Sequence, residues 1–500
     1  MKLLLFSLPL WILSFNLKAQ EANWSRFRGP NGSGIAAENA RPPVVFGEDN
    51  HLKWKIEMPE GISSPIVWKD HVYITGCLPE TNVMVVQCID KSNGSLLWIR
   101  KFFPETLEGA HSISSPAQST PSADENGLYV YSTAYGIICY DHDGNVKWEN
   151  KEMPMFKHRW GHPVSPVVMD DKIILSLDFW GDGYRGLAAF STETGAMVWR
   201  NFTQKISRLN DAYFTGYSTP VRFKNQIILH RVMGLASYAL EDGSANWWME
   251  LFTTAASSPI VSDSCVYVSF WNHFTAKENL GKYWEYESFS KLVAEFDTDS
   301  DQLVSKDEFP EDFALASRSE IGDYEGATNY IRNYWGEFDK DKNGEVDSLE
   351  WNESFKYFKS FLTEVGTAMI YPVHKGRTSL TSLNWMKHTH VPEVPTPILL
   401  DGCIYTISDG GWLTSMDAGT GELVCSERLG KRGGYFASPV AANDKLYICA
   451  QRGTVQVIGL SEKPTTLWET DLEGKIMATP AIAGNDLFIR TSDYLYAFTE

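Results

Sequence analysis

Two acidic runs in the middle of the chain carry the residue types that do chemistry. In DKDKNGEVDSLE, residues Asp339, Asp341, Asn343, Glu345, Asp347 and Glu350 alternate along a twelve-residue loop with Gly344 at its centre. A hard divalent cation of calcium's size takes about seven oxygens at roughly 2.3–2.6 Å, which four side chains, the Glu345 carbonyl and a bidentate Glu350 can supply. Gly344 permits the sharp bend. In DTDSDQLVSKDE the places are held by Asp297, Asp299, Asp301, Leu303, Ser305 and Glu308, with Gln302 where glycine is expected. A left-handed non-glycine residue costs about 1 kcal/mol, so a weaker second site is predicted. Calcium is the expected ligand of both, acting as a structural clamp.

The flanking segments must hold these loops. YWEYESFSKLVAEF and SLEWNESFKYFKSFLTEV space their apolar residues at helical intervals, and the loops start 42 residues apart. This is the pattern of a paired EF-hand, in which Val304 and Val346 are expected to join through a short β-bridge. Pro310 is expected to shorten or bend the helix leaving the first loop. The segment, residues 273–365, holds 22 acidic residues against 10 basic, more than half of the chain's net charge of −19.

Everything else repeats. Ser64-Pro65 is followed by an apolar alternation, a polar turn, a second apolar run, Asn93-Gly94 and Trp98, and the Ser/Thr-Pro pair returns at Ser115-Pro116, Ser165-Pro166, Thr219-Pro220, Ser258-Pro259, Thr396-Pro397, Ser438-Pro439 and Thr479-Pro480. One long gap aside, the period of roughly 40–54 residues suits a propeller blade of four strands. Hairpin turns are expected at Asn93-Gly94, Asp143-Gly144, Thr194-Gly195, Asp242-Gly243 and Thr420-Gly421. Shortly after the turns come Trp98, Trp148, Trp199 and Trp247 or Trp248, with Trp385 and Trp468 in the later units, placed to seal the joint with the neighbouring sheet. The fold class is therefore all-β: an eight-bladed β-propeller of four-stranded antiparallel blades, with an α-helical EF-hand insertion in blade five.

A small residue, a glycine six places on and a tryptophan four after that, complete in Ala189-Gly195-Trp199, resembles the tryptophan-docking pattern of pyrroloquinoline-quinone (PQQ) repeat propellers. Cys88-Gly94-Trp98 keeps it with cysteine first, the turn before Trp148 is one residue short, and Ser415-Gly421-Cys425 loses the tryptophan. WSRFRGPNGSG, Trp24 to Gly34, is similar to the opening of such propellers in exported bacterial proteins. The resemblance implies packing more than activity.

Residues 1–19 read as a signal peptide, with Lys2, an apolar run and a cut after Ala19. Residues 20–50 read as an arm lying on the propeller, held by Arg26 and Arg28. The first propeller part is 51–272, and the second, 366–500, closes the ring with 51–58 as a shared blade. A periplasmic or secreted location follows. Net charge −19 disfavours nucleic acid, and no later apolar stretch is long enough to span a membrane. Of seven cysteines, Cys88 and Cys139 fall at a small buried strand position and Cys265 and Cys403 early in second strands, so most are expected as buried thiols, with a Cys77–Cys88 bond the exception.

Two function classes compete. One is a non-enzymatic binding or assembly scaffold taking a protein, peptide or glycan on the propeller face. The other is a PQQ- and calcium-dependent sugar or alcohol dehydrogenase. That resemblance implies an adjacent Cys-Cys pair or a C-x-x-C-H motif in many members, and neither occurs. The scaffold is favoured, and no catalytic residue is assigned. His111, His162, Tyr217 and Tyr435 precede first strands and are expected on one rim or near the axis. His374, His388 and His390 show no ligand spacing.

Overall fold

Apolar runs of three to eight residues between turn formers give short strands, and consecutive strands pair antiparallel. The computed structural model describes residues 23–107, 113–152, 161, 163–177, 186–202, 216–231, 234–272, 280–317, 328–430, 433–461 and 463–500. Blade one is Ile66–Trp68, His71–Leu78, Val83–Asp90 and Leu96–Phe102, paired in that order. Blades two, three, four, six and seven repeat the plan, each built from one continuous stretch of chain. Blade five pairs Ile260–Val261 and Val266–Phe270 with Gly366–Ile370 and Trp385–Lys387, so the insert leaves between its second and third strands. Blade eight takes its outer strand, Leu52–Glu57, from the other end of the chain, which pairs with Tyr494–Phe498. Eight four-stranded blades thus stand in a propeller ring.

The tryptophans sit where the register puts them. Cys88 faces Trp98, Ala189 faces Trp199 and Ala497 faces Trp54 across the third and fourth strands. Each ring reaches into the next blade and lies on its hairpin turn. Gly195 shows why glycine is needed: its φ is 72°, and a Cβ there would stand 2.3 Å from the Trp148 ring. Three of the indole N–H groups are satisfied by turn carbonyls, Trp54 by Lys91 at 3.0 Å, Trp98 by His142 at 3.0 Å and Trp148 by Thr192 at 3.0 Å, whereas Trp199 Nε1 has no acceptor among the described residues. Truncating such a buried ring typically costs about 3–5 kcal/mol.

Two joints lack a tight turn and are closed otherwise. Between blades four and five Trp247, fully buried, takes the docking register while Trp248 faces solvent. His374 meets the Trp247 ring edge-on at 6.1 Å, and Gly376–Thr378 adds a fifth, parallel strand to blade four. Between blades seven and eight the chain termini interrupt the turn, and the arm replaces it: Trp468 donates to the Phe46 carbonyl at 2.7 Å.

Three expectations need correction. Blade two opens on Thr120-Pro121, which directly precedes strand Ser122–Asp124, and not on Ser115-Pro116 five residues earlier. Cys77 and Cys88 are free thiols, as are the other five. Along the paired strands Cys77 faces Met84 and Cys88 faces Tyr73, so no cross-strand bond is in reach. Burial pushes the Cys88 and Cys139 thiols up to about 12. Finally, the insert is less helical than its periodicity suggested. Its described helices are α1 (Phe289–Phe296) and α2 (Ser348–Leu362) with 3-10 turns at Lys282–Glu285 and Ile331–Glu337, and Ala314–Ser317 pairs with Thr328–Tyr330. Pro310, which cannot donate to a helix, follows the first loop where a second helix would start.

Candidate functional site

A Ser or Thr stands two residues before each blade's first strand, ahead of a proline, and together these eight line the propeller axis. Seven of the eight amides donate to the hydroxyl of the next: Ser64 to Thr120 (2.9 Å), Thr120 to Ser165 (3.1 Å), Thr219 to Ser258 (2.9 Å), Ser258 to Thr396 (3.0 Å), Thr396 to Ser438 (3.0 Å), Ser438 to Thr479 (3.0 Å) and Thr479 back to Ser64 (3.0 Å). The proline that follows has no N–H, which frees the first strand's start for this inward-facing pairing.

One end of the axis is closed by the arm. Trp24 bridges to Val67 of blade one, Ser25 accepts from Ala123 of blade two, Arg26 donates to Val168 of blade three, Asn31 to Arg222 of blade four, and Ile35 pairs with Ala441 of blade seven. Arg28, fully buried at φ 59°, spends all five of its N–H groups on carbonyls: Gly32, Ser33, Thr396, Pro397 and Pro439, at 2.8–3.2 Å. Burial lowers its pKa to about 9, which leaves it charged at neutral pH.

Above the arm lies a blind funnel of about 280 Å³. Phe27 of the arm, Ile62, Ile113, Tyr217, Phe436 and Met477 give it apolar walls, and the hydroxyl ring and Gln118 give it neutral polar groups. Glu393 is the one carboxylate of the described lining, and none of that lining is basic. Tyr217 reaches the funnel, as expected of the rim. Tyr435 instead is buried in the core between blades six and seven, its amide donating to Asp409 at 2.8 Å. His111 and His162 lie outside the described residues, as does the expected signal peptide. His374, His388 and His390 disperse, to Trp247, the Val365 carbonyl and the Trp412 ring.

His230, at the joint behind the funnel wall, was not singled out by spacing. Its Nδ1 donates to the Ser257 carbonyl at 2.7 Å, so its Nε2 accepts from the Thr253 hydroxyl at 2.9 Å and the ring is neutral. Desolvation lowers its pKa from 6.5 to about 4. Between these values the unfolded chain binds a proton that the folded chain refuses, so stability is full above pH 6.5 and falls as pH drops towards 4, by about 3 kcal/mol. Urea unfolding from pH 7 to 4.5 should show this slope, and His230→Gln should flatten it; identical slopes would exclude the assignment.

In the insert, Val304 pairs with Val346 and Ser305 with Glu345, which sets the two acidic loops side by side. Carboxylate oxygens of Asp339, Asp341 and Glu350 lie within 4.8 Å of one another, as do those of Asp297, Asp299 and Glu308. Asp339 is only 7% exposed. Its Oδ2 accepts from Trp335 Nε1 and the Gly344 amide, both at 3.1 Å, whereas its buried Oδ1 has no partner. Gln302 takes φ 72°, the region that Gly344 enters at 97°. Burial works to raise the Glu308 carboxyl, but the Ser305 and Thr298 amides outweigh it and hold it at about 2. Burial, then Asp301, Asp299 and Glu308, push Glu345 up, so charge of one sign faces across the pair. Leu303, Asp301, Asn343 and Asp347 lie along the same two loops.

The insert is tied to the ring at the joint between blades four and five. Phe361 at the end of α2 stacks on Phe252 at 4.0 Å, Asn272 donates to the Phe252 and Phe361 carbonyls, and buried Glu364 accepts from the Phe252 amide. Two residues on, blade five resumes at Gly366.

Compared with known proteins, residues 51–278 and 387–500 match the family described as outer membrane protein assembly factor BamB. The BamB of Salmonella typhimurium is 25% identical over 103 residues, which is 20% of this chain and 25% of that protein, so the match spans a quarter of the relative's length. A europium-containing methanol dehydrogenase superposes with a TM-score of 0.57 at 10% identity, covering 96% of this chain and 98% of that one. The quinohemoprotein alcohol dehydrogenase of Comamonas testosteroni gives 0.53 at 11%, covering 96% and 80%. At such identities the structural likeness shows the fold alone. Among the described residues no helix is long and apolar enough to cross a membrane.

Proposed function

Because the chain belongs to the outer membrane protein assembly factor BamB family of PQQ-repeat β-propellers, we propose that it is an exported, calcium-binding scaffold of the periplasm that binds a protein partner and carries out no chemistry of its own. The observation that carries this reading is the funnel lining. A quinone tricarboxylate needs cations beside its carboxylates, and a dehydrogenase needs a base with a metal next to it. The described lining has one carboxylate, no basic side chain and otherwise neutral groups, which does not fit that cofactor. The family's name, with its assembly role, supports a protein as the partner over a glycan.

The calcium component is supported by Asp339. A carboxylate oxygen buried without a donor costs several kcal/mol unless a cation meets it. Asp341, Asn343, the Glu345 carbonyl, Asp347 and Glu350 complete that shell, and Asp297, Asp299, Asp301, Leu303, Ser305 and Glu308 form the companion site. The groove between the helices is filled in cis: Tyr283 is fully buried against Phe338, Trp351 and Phe355, and the Trp351 indole donates to the Tyr286 carbonyl. A filled groove favours a clamp over a sensor that opens for a target.

Equilibrium dialysis of the mature chain with PQQ and calcium, followed by dye-linked oxidation assays on sugars and primary alcohols, tests the reading. No stoichiometric quinone and no turnover are expected; one quinone per chain with turnover would overturn it in favour of the dehydrogenase.

A further inference from the structure

The funnel is more specific than a generic binding face. It is blind, because Phe27 and the arm behind it close the end that Arg28 anchors. Gln118, at its wall, is 7% exposed, and its amide Nε2 has no acceptor among the described residues. A buried amide donor left unpaired costs about 1–3 kcal/mol, so the wall is built for a group that is not part of it. Seven of the eight hydroxyls of the axial ring accept an amide and still carry a proton to donate, spread around the axis. Such a ring does not single out one orientation, which suits a class of side chains more than one fixed metabolite. Charge is the discriminating feature. With no basic group in the described lining, a carboxylate entering the funnel would be desolvated without a counter-charge.

We propose that the axial funnel captures a neutral apolar residue of a peptide, its side chain seated between Phe27, Phe436 and Met477 and its carbonyl accepting from Gln118. This rests on the scaffold reading and states what part of a protein partner the axis takes. About 280 Å³ holds one large side chain with its peptide unit, so the site acts as an anchor pocket for a longer segment.

The test uses the full mature chain with calcium present and 19F NMR of N-acetyl-4-fluoro-L-phenylalaninamide. Its free-acid counterpart and 4-fluoroacetophenone serve as the charged and the small-molecule arms. The amide should bind saturably, with the acid at least tenfold weaker and the ketone no tighter than the amide. Ala256→Trp, which fills the funnel, should abolish binding. Gln118→Met should weaken it about fivefold, one hydrogen bond's worth, with an unchanged unfolding midpoint showing that the fold persists. An acid that binds as well as the amide, a ketone that binds when the amide does not, or amide binding indifferent to both substitutions overturns the proposal. Quinone-dependent turnover would strike the scaffold reading itself; an amide that fails to saturate without turnover strikes only this inference.

Discussion

Arg28→Leu is expected to release the N-terminal arm and unstopper the axis. The guanidinium is the hub through which the arm grips blades six and seven, and its removal leaves the carbonyls of Thr396, Pro397 and Pro439 without donors in the ring's interior. At about 1–3 kcal/mol for each buried polar group left unmet, less whatever entering water recovers, the loss is of the order of 3–5 kcal/mol. Lysine cannot rescue it, since three donors on a flexible stem do not reproduce the fork that serves five acceptors. Limited proteolysis reports the effect directly: cleavage within residues 23–50 should accelerate at least a hundredfold in Arg28→Leu while the blades stay resistant. Equal cleavage rates in variant and parent would show that the arm is held by its strand-like contacts and not by this side chain.

Calcium removal should have the second largest effect. The mature chain should take up about two calcium ions by calorimetry, and Glu308→Gln with Glu350→Gln should abolish the uptake. At a hundredfold excess over the dissociation constant, one bound ion adds about 2.7 kcal/mol to the stability of what it holds. Chelation should therefore lower the unfolding temperature of the insert first. Gln302 at φ 72° makes the first loop the weaker site, by roughly fivefold for about 1 kcal/mol of backbone strain. Acidification should weaken the first loop, since its ligand Asp299 already holds its proton more tightly than usual, from burial and then the neighbouring carboxylates. Unchanged uptake in the double variant would reject the loops as the binding site.

Much of the architecture was legible because its causes are local. A Ser/Thr-Pro, a turn glycine and a tryptophan recur at intervals that only a stacked four-stranded unit satisfies, so blade number and class follow from spacing. The same reasoning misplaced the start of blade two, because Ser115-Pro116 and Thr120-Pro121 are chemically alike and only the hydroxyl ring distinguishes them. It also overestimated helix in the insert, where Pro310 overrides an apolar period.

The two acidic loops belong to the sequence: their ligand spacing is confined to twelve residues, and a loop closing on itself needs no distant part of the chain. The funnel belongs to the tertiary structure. Phe27, Gln118, Tyr217 and Met477 come from the arm and from blades two, four and eight and share no local pattern, and their convergence exists only once the ring closes. His230 and Arg28 are alike in this respect, because the partners of His230 and three of the five carbonyls that satisfy Arg28 lie 23 to 411 residues away along the chain. Short-range spacing can encode a metal loop or a hairpin, since the entropy of closing it is small; a pocket on an axis is made by which strands the closed ring brings together, and that is decided by packing across the whole chain.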